Sequence, residues 1–289
     1  MSPTRSGLTA RAVAVVLAAL SMAVLVLTYE YVVARPAGQR FDDAAMDTVY
    51  AGPDARLAVL GVLGGVSIGL VVVVMVVCVG LALVRGHVRW AAGAVLVIVA
   101  SNVSTQVLKR LILDRPDFGL GVLNSLPSGH TTVVASATVA TVLVAPPALR
   151  PLLVLGGSAA TTLTGASTIM AGWHRPADIV AALAVCLFWS GVASIFLSHR
   201  IVRVGGTGLA SLAGSAAGII VLGVLGVRPT TGWNGFPEAA LVLGAIALIV
   251  SLFTVAAATL AFDDSVSRET SDSAVGVTGS PLTANGSRS

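Results

Sequence analysis

The sequence predicts an all-α protein, a polytopic transmembrane helix bundle of about eight spans. Three observations predict it. Of 289 residues, 56% are hydrophobic and only 10% charged, far below the roughly 25% charge content of a soluble domain. The apolar residues gather in runs of about 20, the length an α-helix needs to cross the hydrocarbon core. Breaks between the runs carry Gly, Pro and charge, and residues 263–289 are rich in Ser, Thr and Gly. The formal charge of +4 comes from scattered arginines and one lysine, Lys109, a pattern without the clustering that nucleic acid requires. The expected surroundings are therefore a lipid bilayer, with no nucleic-acid partner. Cys78 and Cys186 sit inside apolar runs and read as small buried hydrophobes, neither metal ligands nor a disulfide.

The eight runs lie, in order, near Ala12–Thr28, Leu57–Leu83, Trp90–Leu111, Thr131–Ala145, Leu152–Trp173, Ile179–Leu197, Leu209–Val227 and Ala239–Phe262. The first follows Arg5 and Arg11 and reads as a retained helix rather than a cleaved signal, because no clean small-residue cleavage site follows it. The fourth is the shortest and stops at Pro146-Pro147. The polar segment 263–289 has too little apolar surface to fold alone and is expected to be disordered.

Arginine placement suggests an orientation. With the N-terminus in the cytoplasm, the inner segments hold Arg5, Arg11, Arg85, Arg89, Arg150, Arg200, Arg203, Arg268 and Arg288, against Arg35, Arg40, Arg56, Lys109, Arg110, Arg115, Arg175 and Arg228 outside. Four of the outer residues (Lys109, Arg110, Arg115 and Arg175) stand beside unusual polar motifs. Without them the balance is nine against four, which favours a cytoplasmic N-terminus in the cell membrane and a site on the outer face.

Three segments carry chemistry, and this topology puts all of them on that one face. They are "LKRLILDRPD" (108–117), "PSGH" (127–130) and "STIMAGWHRPAD" (167–178). Each residue alone has an ordinary role. Lys109 can snorkel to the interface, Asp178 can cap a helix start, and Trp90 and Trp173 suit interface anchors. Together they suit a phosphoryl group. Arg115 offers a planar fork for two oxygens and Lys109 a point charge. Ser128 adds a hydroxyl, and Gly129 lets helix-start N–H groups approach an anion closely. His174 and Asp178, four apart, share a helix face, so the carboxylate can fix the imidazole tautomer. That makes His174 the nucleophile and leaves His130 to protonate the leaving oxygen.

The set resembles the type 2 phosphatidic acid phosphatase (PAP2) family, membrane phosphatases related to vanadium haloperoxidases. The likeness spans roughly residues 90–197. Pro127-Ser128-Gly129-His130 matches the family's second motif fully, and Ser167, His174 and Asp178 stand at the spacing of its third. Two departures are visible. Five residues, not the family's six, separate Lys109 from Arg115, and Thr168 replaces the arginine that follows the motif serine. Arg110 and Arg175 are the candidate replacement cations, with Ser167 and Thr168 as auxiliary positions.

The resemblance implies a six-helix phosphatase core within residues 1–200, two additional transmembrane helices in 201–262 and the polar tail 263–289. It further implies hydrolysis of a lipid or polyprenyl phosphate monoester or diphosphate through a phosphohistidine at His174, without metal or other cofactor. The alternative is a relative that has lost or altered hydrolysis and transfers, binds or transports the lipid phosphate. Neither the particular lipid nor the oligomeric state is legible.

Overall fold

The computed structural model describes residues 5–120, 124–197 and 205–261. Residues 263–289, with the disorder expected for them, lie outside the described residues, as do Arg200, Arg203, Arg268 and Arg288 of the orientation argument. The protein is an all-α membrane bundle, and among the described residues it has ten α-helices. They are α1 (Arg5–Leu27), α2 (Pro36–Met46), α3 (Pro53–Gly65), α4 (Ile68–Val84), α5 (Val88–Val107), α6 (Gly129–Val144), α7 (Arg150–Met170), α8 (Pro176–Leu197), α9 (Thr207–Val224) and α10 (Phe236–Thr259). One short antiparallel pair, β1 (Val49–Ala51) with β2 (Val227–Pro229), joins the α2–α3 and α9–α10 connections, with Tyr50 opposite Arg228.

Six helical segments are long and apolar enough to cross a membrane. Three details differ from the sequence expectation. The second run is not one straight helix, because α3 and α4 meet at a 47° bend. Gly64-Gly65 weakens the helix there, and Ser67 restarts it by accepting from the Leu70 N–H at 3.4 Å. Counted as one span, the pair makes seven. The remaining expected span, the fourth, is α6, whose 16 residues rise only ~24 Å against a hydrocarbon core of ~30 Å. Its far end is held where Arg85 Nη1 donates to Val144 O at 2.7 Å. At this length α6 is shorter than the core it would have to cross. Finally, α2 was not anticipated. It is too short and polar to register as an apolar run, and it starts with Pro36 at its first position, where a missing N–H costs nothing.

Small residues set the packing, as is common where lipid removes the hydrophobic drive between helices. Gly214 and Gly218 put the backbone of α9 against α7. A β-carbon at Gly214 would collide with the Leu155 carbonyl and the Ser158 hydroxyl, and one at Gly218 would lie 2.7 Å from Ala159 O. Hydroxyls join α9 to α10: Ser211 Oγ donates to Ser251 O at 3.1 Å and Ser251 Oγ to Ser215 Oγ at 3.0 Å. Trp90, expected at an interface, is instead 7% exposed. It stacks on His87 at 4.1 Å, with the Arg85 guanidinium 5.1 Å from its ring centre.

Candidate active site

The first motif leaves α5 through a π-helical turn, Leu108–Ile112. Such a turn is wider than an α-turn and shifts the phase of the residues it carries. Lys109 and Arg110 sit in it, so their directions are not those of a regular helix continued past Val107. Widening frees carbonyl groups, and Asn124 takes them: its Nδ2 donates to Lys109 O at 3.0 Å and also to Leu113 O. The residue that opens "NSLPSGH" thus fastens the first motif to the second.

The second motif starts α6. Ser128 is the N-cap, and its Oγ accepts from the Thr131 N–H at 3.3 Å and the Thr131 hydroxyl at 2.9 Å. The cap leaves the Gly129 and His130 N–H groups at the helix start for other acceptors. A β-carbon at Gly129 would find only Gln106 Nε2, at 3.7 Å. Glycine is thus not demanded by the protein's own packing; the open face it leaves belongs to the cavity.

The third motif is the turn between α7 and α8. Gly172, at φ +73°, ends α7 in the left-handed conformation that glycine adopts without steric cost. The Trp173 and His174 N–H groups both return to Thr168 O, at 3.1 and 3.2 Å. Pro176 then begins α8. Here the N-cap residue is Arg175, whose side chain cannot accept a hydrogen bond. Asp178 supplies one acceptor from within the helix, its Oδ2 taking the Arg175 N–H at 3.1 Å. Asp42 of α2 supplies another, its Oδ1 taking the Ala177 N–H at 2.9 Å.

These turns converge on the carboxylate of Asp178, which has no exposed surface. Its Oδ1 accepts from Arg115 Nη2 at 2.7 Å. Its Oδ2 accepts from Ser125 Oγ at 2.5 Å and faces His174 Nδ1 at 3.1 Å. Arg115 Nε and Nη1 are buried without a partner among the described residues, so this guanidinium retains donors for a second anion. The Asp178 carbonyl accepts from the Ser128 N–H at 2.9 Å, which brings the N-termini of α6 and α8 together. Two helix starts, with their partial positive charge, meet at one point.

In front of this network opens a cavity of about 830 Å³. Lys109, Arg110, Gly129, His130 and His174 line it, with Asn102 and Gln106 of α5. Its apolar wall comes from α4 and α5, including Val71, Met75 and Val99. With Nδ1 turned to Asp178, His174 presents Nε2 to this space. His130 packs beside Trp173, ring centres 5.5 Å apart.

The expected residues thus divide by place. His174, His130, Lys109, Arg110 and Gly129 share the cavity. Arg115 and Asp178 stand behind His174. Ser128 is fully buried as a helix cap rather than lining the cavity. Arg175, a candidate replacement cation, turns away from the cavity: its Nε and Nη2 donate to Asp43 Oδ1 at 3.0 and 2.8 Å. Thr168 donates to Gly165 O at 2.7 Å, within its own helix, and adds no charge. The Ser167 hydroxyl is buried without a partner among the described residues. Asn124, Ser125, Asp42 and Asp43 were not anticipated. For the first two the available signal was position, a pair of polar residues one residue ahead of the Pro127–His130 motif. Burial pushes the Asp42 carboxyl up to about 7, with Asp178 adding to the rise, against the pull of the Ala177 N–H and of Arg115 and Arg175. Among the described residues no three His, Cys, Asp or Glu side chains are grouped as a metal would require.

No curated protein and no solved structure matches this chain. Residues 90–201 match the family model of the PAP2 superfamily.

Proposed function

From the match of residues 90–201 to the PAP2 superfamily model, we infer a membrane phosphatase that hydrolyses a lipid or polyprenyl phosphate through a phosphohistidine. The observation that carries this reading is the Arg115–Asp178–His174 chain of contacts, 2.7 and 3.1 Å long, set behind a cavity that also holds His130 and Lys109. Asp178 takes the Nδ1 proton of His174 as a hydrogen bond, which leaves the Nε2 lone pair facing the cavity. Lys109, the helix-start N–H groups of Gly129 and His130, and the spare donors of Arg115 hold the phosphoryl oxygens. Charge stabilisation of this kind is the main demand of phosphoryl transfer.

His174 Nε2 forms the N–P bond as the P–O bond to the leaving group breaks, and His130 gives that oxygen its proton. His130, now neutral, takes a proton from water. The hydroxide oxygen attacks phosphorus, the N–P bond breaks, and phosphate leaves with His174 restored. The apolar wall from α4 and α5 suits a substrate whose tail stays in lipid while its phosphate reaches the helix start of α6. With the N-terminus in the cytoplasm, the site opens at the outer face of the cell membrane.

A second reading is favoured by one observation. Thr168 turns into its own helix, so the position of a family phosphate-binding arginine carries no charge. In that reading the protein binds the lipid phosphate, or passes the phosphoryl group to an acceptor other than water. Release of inorganic phosphate from a panel of lipid phosphates, measured with purified protein in a chelator, separates the two. Hydrolysis that is unaffected by the chelator and abolished in His174→Ala is the expected result. Binding of the lipids without phosphate release supports the second reading instead.

A further inference from the structure

Helix α2 lies outside residues 90–201, yet one face of it touches two of the three motif turns. Gln39, Asp42 and Asp43 stand at i, i+3 and i+4 and so share that face. Gln39 Nε2 donates to Pro116 O at 2.9 Å and to Val33 O at 2.7 Å. Asp42 holds the Ala177 N–H, and Asp43 holds the Arg175 guanidinium, at the distances given above.

We propose that α2 is a positioning element of the site, in which Gln39, Asp42 and Asp43 fix the Arg115-Pro116 turn and the His174–Asp178 turn relative to each other. The proposal rests on the phosphatase reading. Its physical basis is an ion pair that anchors a buried arginine in the catalytic turn. Arg175 has a side chain 1% exposed, and its backbone N–H already touches Asp178 Oδ2. Without Asp43, this buried guanidinium is left without its ion-pair partner, in the turn whose backbone N–H holds the Asp178 carboxylate that orients His174. Asp43 therefore anchors the turn that places Asp178 and His174. Asp42 completes the cap that an arginine at the N-cap of α8 cannot make, and Gln39 ties the same helix to the turn that delivers Arg115.

The test is a mutant cycle on the purified full chain, with kcat and KM measured on the lipid phosphate that the wild type hydrolyses. Asp43→Ala is expected to lower kcat by about tenfold to a hundredfold, the range that misplacement of reacting groups by ~1 Å produces. KM should stay within about threefold, since uniform binding is not the interaction removed. Asp43→Asn, which keeps an acceptor oxygen for Arg175, should recover most of the loss. In an Arg175→Ala background the Asp43→Ala loss should vanish. Wild-type kcat in Asp43→Ala, or losses that multiply in the double variant, would overturn the proposal.

Amide hydrogen exchange over residues 172–178 needs no turnover and gives an independent arm. Faster exchange confined to that turn in Asp43→Ala is expected; unchanged exchange, or loss of protection throughout the bundle, overturns the positioning role. If the wild type hydrolyses no lipid phosphate, the phosphatase reading fails and the exchange arm alone decides for or against α2.

Discussion

Replacing Asp178 by Asn changes one atom at the point where all three motifs meet. The carboxylate faces four groups: Arg115 and Ser125 side chains, His174 Nδ1 and the Arg175 N–H. Oδ1 serves one of them and Oδ2 the other three. An amide presents a single oxygen, so whichever way it turns, its NH₂ points at one or more donors. With the oxygen toward Arg115, the NH₂ faces His174 Nδ1, which must then accept, and the imidazole proton moves to Nε2. The nucleophile is lost to the wrong tautomer, an effect of about 10⁴ in kcat where a buried Asp orients a catalytic His. Arg115 also loses its counter-charge in a buried position, which costs about 3–5 kcal/mol. Phosphate release and thermal unfolding, measured side by side in detergent, report the two effects. Asp178→Asn activity within tenfold of wild type would show that His174 does not depend on this carboxylate.

Three further outcomes are expected. Lys109→Ala lowers turnover more than Arg110→Ala; the reverse order would move the first-motif cation by one residue, to Arg110. Gly214→Val destabilises the bundle, because the added carbons meet the Leu155 carbonyl and Ser158. Overpacking of this kind costs about 1–3 kcal/mol or more, read as a lower unfolding temperature at unchanged pH. Asp42 gives a pH dependence of stability. Its carboxyl is raised from 3.8 to about 7 in the fold, so the folded state holds the proton more tightly. The associated stability is complete below about pH 4 and is lost as pH rises through about 7, to a total of about 4 kcal/mol. Asp42→Asn should flatten the decline in unfolding temperature between pH 4 and 8, and an unchanged slope would assign the decline to other groups.

Much of the site could be read from the chain because its chemistry is local. Pro127–His130 and the His174–Asp178 pair each run over a few residues into a helix start, so sequence nearness brings them together, although His174 itself lies in the turn before Pro176 and not on a helix face shared with Asp178. The spans were legible for a similar reason, since apolar length is a local property. The bend between α3 and α4 had its signals in Gly64-Gly65 and Ser67, but hydropathy averaged over a run smooths such a break away. What could not be read joins distant segments. Arg175 finds Asp43 across 132 residues, and Gln39 finds Pro116 across 77. No short motif records such a pairing, so Arg175 looked like a spare cation although its charge is already answered. Lys109 was harder for another reason: its direction depends on a π-turn, and the sequence gives the residue count of that turn but not its width.

The pairing of β1 with β2 has a consequence for biosynthesis. A nascent chain emerges from its N-terminus, so α2 and β1 are made before any of the three motifs. β2 follows α9, after all of them. The clasp between Tyr50 and Arg228 therefore cannot close until the whole 90–201 segment has entered the bilayer and α9 has returned across it. A ribosome that stalls after Leu197 leaves every motif residue in place but no clasp, and it leaves Ser158 and the backbone of α7 facing lipid where Gly214 and Gly218 would lie. Such a fragment leaves uncovered the face of α7 on which Gly214 and Gly218 pack. Completion of the last two helices thus closes the chain with a contact made between its α2–α3 and α9–α10 connections.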